Sequence, residues 1–248
     1  MRPFIEEFEK RRSEVRRYLA IIVIAERRMS TVERRQFDDE LKIFRAGALL
    51  VLYNAIEASA RLGILAIYDD ISSSSTLFDD LQETLRIRVL SDFRQHAGEK
   101  SYPRIVRIAV DLVNESLNSD KLFSGNVDAR KIRDMAKIFG FDTSSPFYLT
   151  QNGQDLLTVK ARRQDLAHGN ESFSEVGKQY TTRDVQRIVR YSLAYMGAVL
   201  NHIDRYLDAK GYRAPTSPNG DQQQQSSPRV VRSWRQRLAR AWAELRSQ

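Results

Sequence analysis

The chain contains no cysteine, which excludes disulfides, thiolate zinc sites and cysteine-bound iron–sulfur clusters. Turn formers are scarce: 6 prolines and 11 glycines in 248 residues. No stretch of useful length alternates apolar and polar residues as a half-buried strand does. An all-β fold is therefore excluded, and the 42% hydrophobic and 29% charged composition points to a helical domain with a sizeable core. Only 3 histidines occur, and none is spaced with carboxylates as a ligand set. Asp38-Asp39-Glu40 and Asp79-Asp80 read as solvated helix starts, so no metal and no cofactor is expected.

Long uninterrupted apolar runs are also missing. Leu19–Ala25 is too short to span a bilayer, and the longer run Ala46–Ile67 carries Asn54, Glu57 and Arg61 in its middle. That run is expected to be a buried core helix, with no integral membrane segment. The first twenty residues are studded with charge and show no secretory signal, so a cytoplasmic location is expected.

What the chain has in excess is positive charge, a formal net charge of +8. Six arginines between residues 229 and 248 stand against Glu244 alone, leaving a mildly basic body and a strongly basic tail. A polyanionic partner, RNA, suits this balance. The tail's Val231, Trp234, Leu238, Trp242 and Leu245 form an apolar stripe opposite its arginines. The segment 213–228, rich in proline and glutamine, reads as a disordered linker. The chain thus divides into a helical domain (1–212), the linker, and a basic amphipathic helix (229–248). That helix could grip RNA backbone through Arg232 and Arg235, lie on an anionic membrane, or dock its Trp stripe on a partner protein or on this domain.

Apolar spacing places a first helix along Phe4, Phe8, Val15, Tyr18, Leu19 and Ile22, and a second, apolar nearly all round, over about Phe37–Ile71. The serine run 72–75 breaks it before a predicted helix over Thr76–His96, and another is predicted after Pro103. Asp128 is placed to cap a short helix that Gly140 ends. A further helix leads into Lys160–Phe173, a loop is predicted through Gly177, and a long final helix begins near Thr182 and stops at Gly211.

The stretch "KARRQDLAHGNESF" holds the sharpest candidate chemistry. A histidine suits proton transfer near neutral pH, and an arginine fork can pair two oxygens of one phosphate. On a continuous helix, Arg163 and His168 diverge by about 140°. The Gly169 break is expected to let His168 turn back toward Arg163, and a two-fold dimer would build one cleft from two copies. The plainer reading is a helix C-terminus whose His-Gly ending complements the helix dipole. Arg162 is a rival for the arginine position.

The surrounding "ARRQDLAHGNESFSEVGKQYTTRDV", with Phe44–Ile71 and Leu122–Phe141, resembles the motif region of HEPN-domain ribonucleases, in particular the MAE-type subgroup. The resemblance implies an all-α helical bundle with long antiparallel helices, usually dimeric, that cuts RNA without metal. It assigns the motif positions to Arg163 and His168. Gln164 stands where Asn is common, and Arg162 becomes an RNA contact beside the site. Asn170 occupies the position at which a variant of the motif carries Tyr, so regulation through such a tyrosine is not expected. Glu57 is expected to contact an arginine near the cleft, Arg163 among the options, or to pair with Arg61 four residues on. His96 and His202 read as surface or packing histidines.

The function implied is a metal-independent endoribonuclease of toxin or antiviral-defence type, acting as a homodimer. The alternative is a non-catalytic RNA-binding or assembly subunit of a defence or toxin–antitoxin complex. In either case the C-terminal helix is a candidate surface for an antitoxin or defence-complex partner.

Overall fold

A single helix of 36 residues, Asp38–Ser73, organises the molecule. Its buried residues, from Leu41 to Ile71, fall on every side, because neighbours pack around it rather than against one stripe. The helix is long and apolar enough to cross a membrane by composition, yet half of its most apolar window is buried by the rest of the fold. Truncating one of its fully buried side chains, such as Leu52 or Ile56, costs about 2–5 kcal/mol.

The structure is a computed structural model that describes residues 1–74, 76–96 and 125–215, without the side chains of 92–96. Nine α-helices occur among the described residues: α1 (Pro3–Arg28), α2 (Thr31–Gln36), α3 (Asp38–Ser73), α4 (Glu83–His96), α5 (Ala129–Phe139), α6 (Phe147–Thr150), α7 (Asp155–His168), α8 (Phe173–Lys178) and α9 (Thr182–Asp208). The only strand-like pairing described is one isolated bridge, Leu81 to Arg213. The all-α architecture expected from composition is what the chain adopts. The helix predicted after Pro103, the tail helix, and Arg232 and Arg235 lie outside the described residues.

Helices α1, α7, α8 and α9 all pack on α3. Helix α1 does so through Phe4, Phe8, Val15 and Ile22, each within 4% of full burial. Helix α9 is amphipathic by the same rule, burying Val185, Ile188, Met196, Val199 and Ile203. Its start carries a reciprocal cap: the Thr181 hydroxyl accepts the Asp184 amide while Asp184 accepts the Thr181 amide. Arg2 ties the beginning of α1 to Asp204 and Asp208 on α9.

Two predicted boundaries are corrected. Residues 76–82 were expected to be helical, but only a 3-10 turn forms at Phe78–Asp80 before α4 starts at Glu83. The reason is a competing partner: the Gln82 amide donates to the Tyr212 carbonyl (2.9 Å), and the Ala214 amide to the Asp80 carbonyl (2.7 Å). Arg213 and Ala214, assigned by composition to the linker, are thereby anchored to the bundle. Lys210 and Tyr212 close the same corner on Asp70, whose carboxylate accepts from both (2.8 and 2.7 Å).

The second correction concerns α8. The loop predicted through Gly177 is instead a helix, capped by Ser172 and Glu175 in the same reciprocal manner as α9. It lies so close to α3 that a Cβ on Gly177 would overlap the Lys42 carbonyl. Only glycine permits that approach.

Candidate active site

Helix α7 carries the candidate site, and its two faces do different things. Leu156 and Val159 are buried against the core and Leu166 is partly so. Arg163 follows Leu156 by two turns and shares that inner face. His168 follows Leu157 by three turns, on the outer face with Ala161 and Gln164. Leu157 is 60% exposed, and His168 is exposed too.

The expected swing of His168 toward Arg163 does not occur within one chain. His168 is still helical, and Gly169 in the left-handed conformation (φ +70°) stops the helix only after it. The Gly169 amide donates to the Leu166 carbonyl (3.4 Å) and the Asn170 amide to the Asp165 carbonyl (2.9 Å), a Schellman ending. The exposed Asn170 thus serves the site through its backbone, fixing the turn beyond His168.

Arg163 lies in a cradle built by α3 and the loop 125–128. Its guanidinium carbon stands 5.4 Å from the centre of the Tyr53 ring, a cation–π arrangement. On another side is Gly125 (φ +71°), where a Cβ would lie 3.0–3.2 Å from the guanidinium atoms. The loop is bolted in place from below: the Gly125 amide donates to Glu57 Oε1 (2.8 Å) and the Val127 amide to the Tyr53 hydroxyl (3.2 Å). Burial pushes the Tyr53 phenol above its ordinary pKa, against the opposing pull of the Val127 amide and with Glu57 and Arg163 acting in opposite directions. Glu57 therefore bears on Arg163 through the loop it holds and the tyrosine it shares with the arginine.

Neighbouring positions lock the same geometry. The Gln164 side-chain amide donates to Asn126 Oδ1 (3.1 Å), one residue beyond Gly125. Lys160, one turn earlier on α7, pairs with Asp128, which also caps α5 by accepting the Lys131 amide (2.8 Å). Gly140 (φ +83°) ends α5, as the sequence predicts.

Arg162, expected to contact RNA, is engaged within the chain. Its guanidinium reaches Asp165 (3.3 Å), Glu171 (3.2 Å) and Gln179 (3.0 Å), clamping α8 and the turn before it onto α7. His202 is a packing histidine, 2.8 Å from the Ser144 carbonyl. No group of three or more His, Asp or Glu side chains among the described residues is placed to hold a metal ion.

Sequence reasoning missed Tyr53, Gly125 and Asn126. Tyr53 is indistinguishable from other aromatic core residues by pattern, and it lies 110 positions from Arg163. Nothing local in "SGNVD" shows that an arginine from α7 lies over its glycine.

Chemically, the site offers a guanidinium set against the Tyr53 ring on one side of α7 and a solvent-facing imidazole on the other. A guanidinium can pair with phosphate oxygens, and an imidazole can take or give a proton. No curated protein and no solved structure gives a significant match to the chain. A family model described as MAE_28990-like HEPN matches residues 3–212. HEPN domains are often ribonucleases, which associates the chain with nuclease or RNA-related function in general. The chain belongs to the MAE_28990-like HEPN family.

Proposed function

We propose that this protein is an endoribonuclease that cuts RNA at a site built from Arg163 and His168 across a homodimer. The observation that carries the reading is the disposition of α7: the two motif residues share one rigid helix yet face opposite sides of it. One copy presents His168 outward on the same stripe as the exposed Leu157, three turns away, and a second copy laid on that stripe covers Leu157 and completes the cleft. The cytoplasmic location and a toxin or defence role remain part of this reading.

In the proposed reaction the RNA 2′-oxygen attacks the adjacent phosphorus as His168 takes its proton. The O2′–P bond forms, the P–O5′ bond breaks, and the 5′-oxygen is protonated by the imidazolium of the second copy's histidine. Arg163 stabilises the charge that grows on the phosphoryl oxygens. The products are a 2′,3′-cyclic phosphate and a 5′-hydroxyl, and these steps call on no metal or cofactor. The test is digestion of RNA in EDTA by wild type, Arg163→Ala and His168→Ala, with end-group analysis of the products.

A second reading, a non-catalytic RNA-binding or assembly subunit, draws on Arg163 being engaged by the Tyr53 ring and on Gln164 being held by Asn126. Salt-sensitive RNA binding with no cleavage by any preparation, including one with a cognate antitoxin or defence partner, would favour it.

A further inference from the structure

Helix α5 has a buried face of Ala129, Ile132, Met135, Ala136 and Phe139. Its outward face carries Arg130, Lys131, Arg133 and Lys137 against the single acid Asp134, and all five are exposed. Arg133 is turned to the Asn152 carbonyl (3.2 Å). Arg130, Lys131 and Lys137 are in no ion pair among the described residues, although Asp134 lies within one turn of each. Several basic residues elsewhere are paired with acids, Lys10, Arg11 and Arg12 with Glu7 and Glu9, Lys160 with Asp128 and Arg187 with Asp155, while others, Arg16 and Arg17 of α1 among them, are in no ion pair among the described residues.

The position of this face matters as much as its charge. Helix α5 begins directly beyond the loop whose Gly125 and Asn126 touch Arg163 and Gln164. The Lys160–Asp128 pair fastens its first turn to α7 one turn before Arg163. From Arg130 to Lys137 is two helical turns, about 10 Å. A row of cations in no ion pair among the described residues therefore runs away from the cradle along this helix.

We propose that the outward face of α5, through Arg130, Lys131 and Lys137, binds the backbone of single-stranded RNA as it leads to Arg163. The inference rests on the ribonuclease reading for its destination, but the surface itself is recognised by charge complementarity with a polyphosphate strand. Contacts of this kind carry no base preference, so the surface sets affinity and salt dependence rather than cleavage sequence.

The experiment uses the full chain and a fluorescein-labelled 20-mer of uridylate. Binding is measured in the His168→Ala background, so that no cleavage intervenes, over a salt series. The triple variant Arg130→Gln/Lys131→Gln/Lys137→Gln is compared with Lys10→Gln/Arg16→Gln/Arg17→Gln on α1, which removes the same net charge from exposed positions. Each phosphate contact contributes roughly 0.7 to the log–log salt slope on single strands, so the α5 triple should flatten that slope by about 2. Its affinity at moderate salt should fall at least tenfold, with the α1 triple near wild type. Equal loss in both triples, or none in either, overturns the proposal. If wild type never cleaves RNA yet the α5 triple alone flattens the slope, the surface stands and the nuclease reading falls. If wild type cleaves and the α5 triple binds like wild type, the reverse holds.

Discussion

Arg163 and His168 leave the same helix about 140° apart, the arginine toward Tyr53 and the histidine toward solvent. Because α7 is continuous to His168, no rotation of one side chain closes that angle. Chemistry that needs both groups on one phosphate then needs a second chain, and the outer stripe of α7 becomes the surface to disturb. Leu157→Asp removes an exposed apolar side chain, so the monomer should keep its stability. Sedimentation should show loss of the dimer, and cleavage should fall at least tenfold. A folded, dimeric and fully active variant would contradict this arrangement.

Gly125 should report on the cradle. Gly125→Ala meets a left-handed φ of +71° and sets a methyl within 3.0–3.2 Å of the Arg163 guanidinium. Gly169→Ala meets nearly the same φ, +70°, with no atom within 4 Å. Backbone strain alone costs about 1–2 kcal/mol in both. Only Gly125→Ala should lose more stability than that when Arg163 is present and regain the excess in an Arg163→Ala background. A thermal-unfolding double-mutant cycle with no coupling would remove the cradle from the account.

Gly177 tests the close approach of α8 to α3. A methyl there overlaps the Lys42 carbonyl, a backbone atom that cannot swing aside. Gly177→Ala should destabilise the fold by about 3 kcal/mol in urea denaturation. An unchanged midpoint would mean that α8 does not sit where it is described.

Asp128 gives a pH signature. Burial alone would raise its carboxyl, but the Lys160 ammonium and the Lys131 amide hold it below the ordinary carboxylate value of 3.8. A depressed folded pKa stabilises above the unfolded value, and that stability drains as pH falls through the folded one. Asp128→Asn keeps a good helix cap and removes the charge, so it should cost about 2 kcal/mol near neutral pH. The difference from wild type should close below pH 3.8. A gap independent of pH would show that the Lys160 pair is not its source.

Much of this was legible in the sequence, and the gaps have physical causes. Helix α3 was visible because an apolar run too interrupted for a membrane must be buried all round, and the predicted end at Ile71 is two residues short of Ser73. The limits of α5 followed from one capping aspartate and one glycine. Helix α8 was missed because its six residues are too few to show a period, though Ser172 and Glu175 have the spacing of a capping box. Residues 76–82 misled because their local pattern is helical while Tyr212 and Ala214, far along the chain, claim their backbone. At the site, Arg163 and His168 were identifiable by motif. Their relative direction was misjudged because a glycine after the histidine ends the helix without unwinding it.

The central claim is that RNA is cut by Arg163 and His168 acting together. Its most direct test is the rate of cleavage of a labelled RNA in EDTA by wild type, Arg163→Ala and His168→Ala, each shown to be folded and dimeric. Wild type should leave 2′,3′-cyclic phosphate ends, and each variant should be slower by roughly 10²-fold or more. Variants that cut as fast as wild type would contradict the account.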